Sequence, residues 1–180
     1  MSLFQNFLTH KKNYALIQDN QKYSYDYLIK YSKDILKLIK KKSLIVLVSK
    51  NDIEPIAFYT SCINNGYYLI ILDENCNKNF FLETIKKFKP NYIFYPKKFI
   101  NLKKNYKKFF FSDYCLIKID TKIRKINNKN SLILTTSGTT SNPKFVRLSN
   151  KNLFKNSQQI INYLDIKKKD INITTLPMAY

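Results

Sequence analysis

Thr136-Ser137-Gly138-Thr139-Thr140-Ser141-Asn142-Pro143-Lys144 is the stretch on which the reading of this chain turns. It is a hydroxyl-rich loop around one glycine, closed by Pro-Lys. The apolar, β-prone run Leu132-Ile133-Leu134 precedes it, and a helix start, Leu148-Ser149-Asn150, follows. Strand, polar loop, then helix is the layout of a phosphate-binding loop. The whole chain has only 2 glycines, Gly66 and Gly138. Gly138 sits where the backbone must turn most tightly, and glycine there permits positive φ and close approach to a ligand. Ser137, Thr139, Thr140 and Ser141 supply hydroxyl donors, and the amides around Gly138 can form an anion-binding nest. Lys144 adds a full positive charge about one loop-length away. These groups suit a polyphosphate. The loop is not a Walker A motif, which needs a glycine directly before its lysine, whereas Pro143 stands there.

Apolar patterning places this loop in an alternating chain. Tyr25, Leu28, Tyr31, Ile35 and Ile39 recur at helical spacing. Leu44 to Val48 is a continuous apolar run of strand length. Ile56, Tyr59 and Ile63 form a helical stripe that stops at Gly66. Tyr67 to Leu72 reads as the next strand. Phe81, Leu82, Ile85 and Phe88 form a helix ended by Pro90. Tyr92 to Tyr95 and Tyr114 to Ile119 read as strands, and the segment 97–129 is otherwise irregular. Leu153, Ser157, Ile160, Ile161 and Leu164 give a helical face after a Ser149 cap. Ile171 to Leu176 reads as a last strand, ending at Pro177. Continuous apolar strands alternating with amphipathic helices predict an α/β fold: a mostly parallel sheet with helices on both faces. Ligands in such sheets bind beyond the carboxyl ends of the strands, where Gly138 and Tyr180 would share one cleft.

Ile133 to Lys144, reading ILTTSGTTSNPK, resembles the signature loop of the AMP-forming, adenylate-forming superfamily, the AMP-dependent synthetases and ligases. That family includes acyl-CoA synthetases, luciferases and the adenylation domains of peptide synthetases. Its usual form is Thr-Ser-Gly-Thr-Thr-Gly-x-Pro-Lys; Ser141 stands in place of the second glycine. Phe145-Val146-Arg147-Leu148-Ser149 and Asn152-Leu153 also fit, whereas Asn150 stands where the family often has His. Leu176-Pro177-Met178-Ala179-Tyr180 resembles the next family motif. Tyr23 to Leu28 and Phe58 to Asp73 agree more weakly.

The resemblance implies that Thr136, Ser137, Gly138, Thr139, Thr140 and Lys144 bind ATP phosphates and that Tyr180 lines the acyl pocket. It implies ATP and Mg²⁺ as cofactors, a carboxylic acid as substrate, and coenzyme A or phosphopantetheine as acyl acceptor. It assigns no catalytic residue and no metal ligand to this chain. Residues 1–180 are expected to be the first part of the large N-terminal AMP-binding domain, with the mobile C-terminal domain absent. Such a fragment would be inactive alone unless a second chain supplied the missing half. Two other readings stay open here: a non-catalytic nucleotide-binding module, and a basic polyanion-binding protein.

The formal net charge of +20 speaks for the last of these. Against it, 30 of the 32 basic residues are lysine, Arg124 and Arg147 being the exceptions. Specific nucleic-acid sites favour the bidentate arginine fork. The lysines are also dispersed, with runs such as Lys40-Lys41-Lys42 and Lys167-Lys168-Lys169 at element ends, so no specific nucleic-acid partner is expected. Cys62, Cys76 and Cys115 are an odd number without CxxC spacing, which argues against a disulfide framework or zinc site. His10 is the single histidine. No apolar run approaches the roughly 20 residues that span a bilayer, and no secretory signal is evident. A cytoplasmic location is expected.

Overall fold

A computed structural model describes residues 9–102, 106–119, 132–136 and 143–179. In chain order the elements are β1 (Tyr14–Gln18), β2 (Gln21–Ser24), α1 (Tyr25–Lys37), β3 (Leu44–Ser49), α2 (Ile53–Asn64), β4 (Tyr68–Asp73), α3 (Lys78–Phe88), β5 (Tyr92–Pro96), β6 (Lys108–Phe111), β7 (Tyr114–Lys118), β8 (Leu132–Thr136), β9 (Lys144–Leu148) and α4 (Asn150–Tyr163). Among the described residues β1 and β2 form a two-stranded sheet, and the rest form a seven-stranded sheet in the order β6-β7-β5-β3-β4-β8-β9.

The continuous apolar runs form the middle of this sheet, as expected. β3 pairs in parallel with β4 and β5, and β4 with β8. Every residue of β3 and β5 is buried, which is what a strand covered on both faces requires. Side-chain alternation then splits the core in two. Ile45, Leu47, Leu69, Ile71 and Phe94 pack with Ile35 of α1 and with Phe58 and Cys62 of α2. Val46, Val48, Ile70, Leu72 and Ile93 pack with Phe81 of α3 on the opposite face. Chain direction explains the split. The β3-to-β4 crossover moves one way across the sheet and the β4-to-β5 crossover moves back past β3. Right-handed crossovers running in opposite directions put their helices on opposite faces. Helices therefore cover both faces, as the sequence implies.

The helix ends follow from particular residues. Ser24 Oγ accepts from the Tyr27 amide at 3.2 Å and caps α1. Asp52 precedes α2, but its carboxylate is engaged by Lys50 and by Gln18 Nε2, the latter at 2.8 Å. Gln18 Oε1 instead accepts from the first helical amide, Ile53, at 2.9 Å. Gly66 ends the α2 region at φ +72°, the left-handed conformation expected of a helix-terminating glycine.

The mostly parallel sheet that the sequence implies is present: β3, β4, β5 and β8 run together, while β7 and β9 pair antiparallel with their inner neighbours. The structure corrects the sequence reading in three places. The irregular segment holds an edge hairpin, β6–β7, whose two-residue turn places Ser112 at φ +44°. The β1–β2 hairpin was likewise not foreseen. Its turn is Asp19-Asn20, both at positive φ, the backbone of a type I′ turn that suits strand twist. Finally, Ile171 to Leu176 is not a strand. Ile171, Ile173 and Leu176 are exposed, and a strand forms only where a neighbouring edge completes its hydrogen bonds.

Candidate phosphate-binding site

The expected strand–loop–helix layout is replaced by strand–loop–strand–helix. β9 separates the loop from α4 and pairs antiparallel with β8, with Leu132 opposite Leu148 and Thr136 opposite Lys144. The loop residues 137–143 thus connect the two strands of a β-hairpin, and α4 begins only after β9. Apolar residues of both strands explain the pairing: Leu132, Leu134 and Leu148 join the core on the α1/α2 face. Ile133 and Phe145 join the core on the α3 face.

This register brings together the two ends of the candidate site that lie among the described residues. Thr136 and Lys144 face each other across the hairpin mouth, and Thr136 Oγ1 donates to the Lys144 carbonyl at 3.4 Å. Because strand side chains alternate, Thr136 lies on the same face as Leu134, and Lys144 on the same face as Leu148. Both therefore face the α1/α2 side. Ser137, Gly138, Thr139, Thr140 and Tyr180 lie outside the described residues. β8 and β9 carry Lys144 and Arg147 but no carboxylate. The hairpin suits a phosphate anion; it offers no oxygen-anion ligand of the kind Mg²⁺ takes, so it does not fit as the holder of that ion.

An aromatic cluster fixes the hairpin from the other face. The Phe145 ring lies 5.7 Å from that of Phe80, nearly parallel, and meets Phe88 edge-on at 4.7 Å. Lys87 Nζ stands 5.0 Å from the centre of the Phe145 ring. Two residues of α3 thus grip the residue next to Lys144, with a cation over the same ring.

The second element of the site is the turn before Tyr180. Met178 packs on the α1/α2-face core, and Ala179 is buried in it. The turn is held at the carboxyl end of β3 by Asn51. Its Nδ2 donates to the Leu176 carbonyl at 2.8 Å, and its Oδ1 accepts from the Met178 amide at 2.9 Å. The carboxyl ends of β3, β4 and β8 lie on one edge of the sheet because these strands are parallel neighbours. The β3 and β4 crossovers leave toward opposite faces, the arrangement beside which α/β sheets form their ligand crevice. Hairpin mouth and turn therefore share an edge and a face. Asn51 was not singled out from the sequence. The available signal was a polar Asn-Asp pair one residue beyond a buried parallel strand.

Burial pushes the Tyr31, Tyr95 and Tyr114 hydroxyls well up, and the Tyr31 oxygen has no hydrogen-bond partner among the described residues. Burial, helped by the nearby Asp73 carboxylate, pushes the Cys76 thiol up to about 11.

No protein-family model matches the chain, and no curated protein matches it. Solved structures do. O-succinylbenzoate coenzyme A synthetase (MenE) from Bacillus subtilis, in complex with AMP, superimposes with a TM-score of 0.75 at 17% identity, over 100% of this chain and 50% of that one. IdnL1 superimposes with a TM-score of 0.76 at 12% identity, over 99% of this chain and 38% of that one. Apo MatB from Rhodopseudomonas palustris gives 0.70 at 15% identity, over 99% and 40%. The same MenE has been solved with ATP and magnesium and with the acyl-adenylate OSB-AMP. The chain has the fold these enzymes share. It spans about half the length of MenE, 50% in the AMP complex.

Proposed function

We propose that this chain is the phosphate-binding part of an AMP-forming, adenylate-forming ligase. The observation that carries the reading is the sequence ILTTSGTTSNPK mounted on a β-hairpin at the carboxyl edge of the sheet, with Thr136 and Lys144 opposite each other. Fold likeness to synthetases solved with ATP and magnesium, with AMP and with an acyl-adenylate supports it.

In the proposed reaction a carboxylate oxygen attacks the α-phosphorus of ATP. The bond to the bridging oxygen breaks, and pyrophosphate leaves with the electron pair. A thiol, that of coenzyme A or phosphopantetheine, then displaces AMP from the acyl-adenylate. This chain's own contribution is to the first step. Lys144 pairs with the β- and γ-phosphates, and the amides and hydroxyls of Thr136, Ser137, Gly138, Thr139 and Thr140 surround them. Charge that builds on the departing pyrophosphate is met by these donors. Magnesium, when bound with the nucleotide, neutralises phosphate charge. Tyr180, following the turn held by Asn51, borders the acid. The later ribose, adenine and thiol contacts belong to the half of the fold that this chain does not span. Three unpaired cysteines, Cys62, Cys76 and Cys115, accord with a reducing, cytoplasmic setting.

Equilibrium titration with MgATP at 0.3 M salt tests the reading, because an exposed +20 chain attracts any polyanion at low salt. Lys144→Ala and Gly138→Val are expected to weaken binding at least about tenfold, the scale of one charge-assisted hydrogen bond. Equal affinity in wild type and both variants would exclude the loop as the phosphate site.

A further inference from the structure

We propose that the bare face formed by α4 and the segment Ile171 to Leu176 docks a separate, acidic polypeptide carrying the other half of this fold. What that partner is rests on the adenylate-forming reading; the face itself rests on geometry. α4 has one apolar stripe, in which Leu153, Ile160, Ile161 and the C-cap Leu164 recur at helical spacing. Leu153 packs on the α1/α2-face core, whereas Ile160, Ile161 and Leu164 are exposed, Leu164 by 61%. The stripe begins on the sheet and runs off it, and an amphipathic helix is stable where something covers its apolar face.

The next segment is incomplete in a matching way. Ile171-Asn172-Ile173-Thr174-Thr175-Leu176 is rich in β-branched residues. Among the described residues, however, no backbone–backbone hydrogen bond engages residues 171–175. Ile171, Ile173 and Leu176 are exposed, Ile173 by 87%. Asn51 holds the far end of the segment through Leu176 and Met178. The segment is thus fixed in place, with backbone groups open to an added strand.

Three observations choose the occupant. Two copies of a chain at +20 repel one another, which speaks against self-docking. Residues 150–179 carry five lysines, Lys155, Lys168 and Lys169 among them, against two aspartates, so the rim calls for acidic residues opposite. The AMP complex of MenE has the same fold, and this chain covers 50% of it. A polypeptide supplying the other half would bring apolar surface for α4 and a strand for Ile171 to Leu176.

The test is to tag the chain at Met1, purify it from the cells that make it, sequence what is bound by mass spectrometry, and assay ATP–pyrophosphate exchange. One acidic polypeptide with the second half of the fold, bound 1:1, is expected. Ile160→Asp combined with Leu164→Asp is expected to cut its recovery at least about tenfold, because the pair buries charge in an apolar contact. Phe110→Asp, on β6 at the far margin of the sheet, keeps it. All three side chains are exposed, so circular dichroism of these variants should match wild type. Lys144→Ala retains the partner but loses exchange. Recovery of the chain alone, as a homodimer, within one longer polypeptide, or with a partner of another fold overturns the proposal. So does a partner kept by the Ile160/Leu164 double variant, or lost equally in Phe110→Asp. A wild-type complex without exchange sinks the adenylate-forming reading instead, and the dependence of the partner on α4 still decides the docking face.

Discussion

At the scale of single residues, Lys144 and Thr136 owe their meeting to strand register. A shift of β9 by one residue would turn Lys144 to the α3 face and Phe145 out of its aromatic cluster. Phe145 resists that slip through its contacts with Phe80 and Phe88. Phe145→Ser is therefore expected to weaken MgATP binding without touching a phosphate, whereas Phe145→Tyr preserves it; titration of the two variants checks this. Cys76 gives a prediction in pH. Its pKa is raised from the ordinary 9.0 to about 11 in the folded chain. The folded state thus favours the neutral thiol, and the stability this contributes is complete below pH 9 and lost as pH rises toward 11. Urea midpoints should fall across that window, and fall less in Cys76→Ala. An identical alkaline loss in the variant would assign the effect to the buried tyrosines alone.

At the scale of elements, what the sequence made legible tracks how local the cause is. β3, β4 and β5 were readable because a strand buried on both faces must be apolar throughout. α1, α2 and α3 were readable from spacing, caps and the stops at Gly66 and Pro90. β9 was hidden because Lys144-Phe145-Val146-Arg147-Leu148 owes its strand to pairing with β8, a non-local cause. β1 and β2 were hidden because Asp19-Asn20 is a weaker turn signal than a glycine pair. α4 shows that a helical stripe need not be a buried one. Only Leu153 of its stripe packs on the core, while Ile160, Ile161 and Leu164 are exposed. Leu47→Ala is therefore expected to cost about 2–5 kcal/mol, and Ile160→Ala less than about 0.5 kcal/mol. Ser149 Oγ accepts from the Asn152 amide at 3.1 Å, so Ser149→Ala should cost about 1 kcal/mol. Chemical denaturation of the three variants measures these differences.

At the scale of the whole molecule, two features compete to explain any affinity for nucleotides. One is a built site at the carboxyl edge of the sheet. The other is a formal charge of +20 spread over the surface. No described helix is long and apolar enough to cross a membrane, so the charge needs no account in terms of a spanning segment. The two explanations differ in where a nucleotide touches the chain and in how salt acts. Dispersed lysines bind polyanions by counterion release, which fades steeply with salt. A loop with a lysine at its closing end holds its ligand at one place. The decisive measurement is a residue-resolved NMR titration of the chain with MgATP at 0.3 M salt, in wild type and Lys144→Ala. The account predicts amide shifts concentrated around Thr136 and Lys144 that vanish in the variant. Shifts scattered over runs such as Lys40–Lys42 and Lys167–Lys169, unchanged by Lys144→Ala, would contradict it.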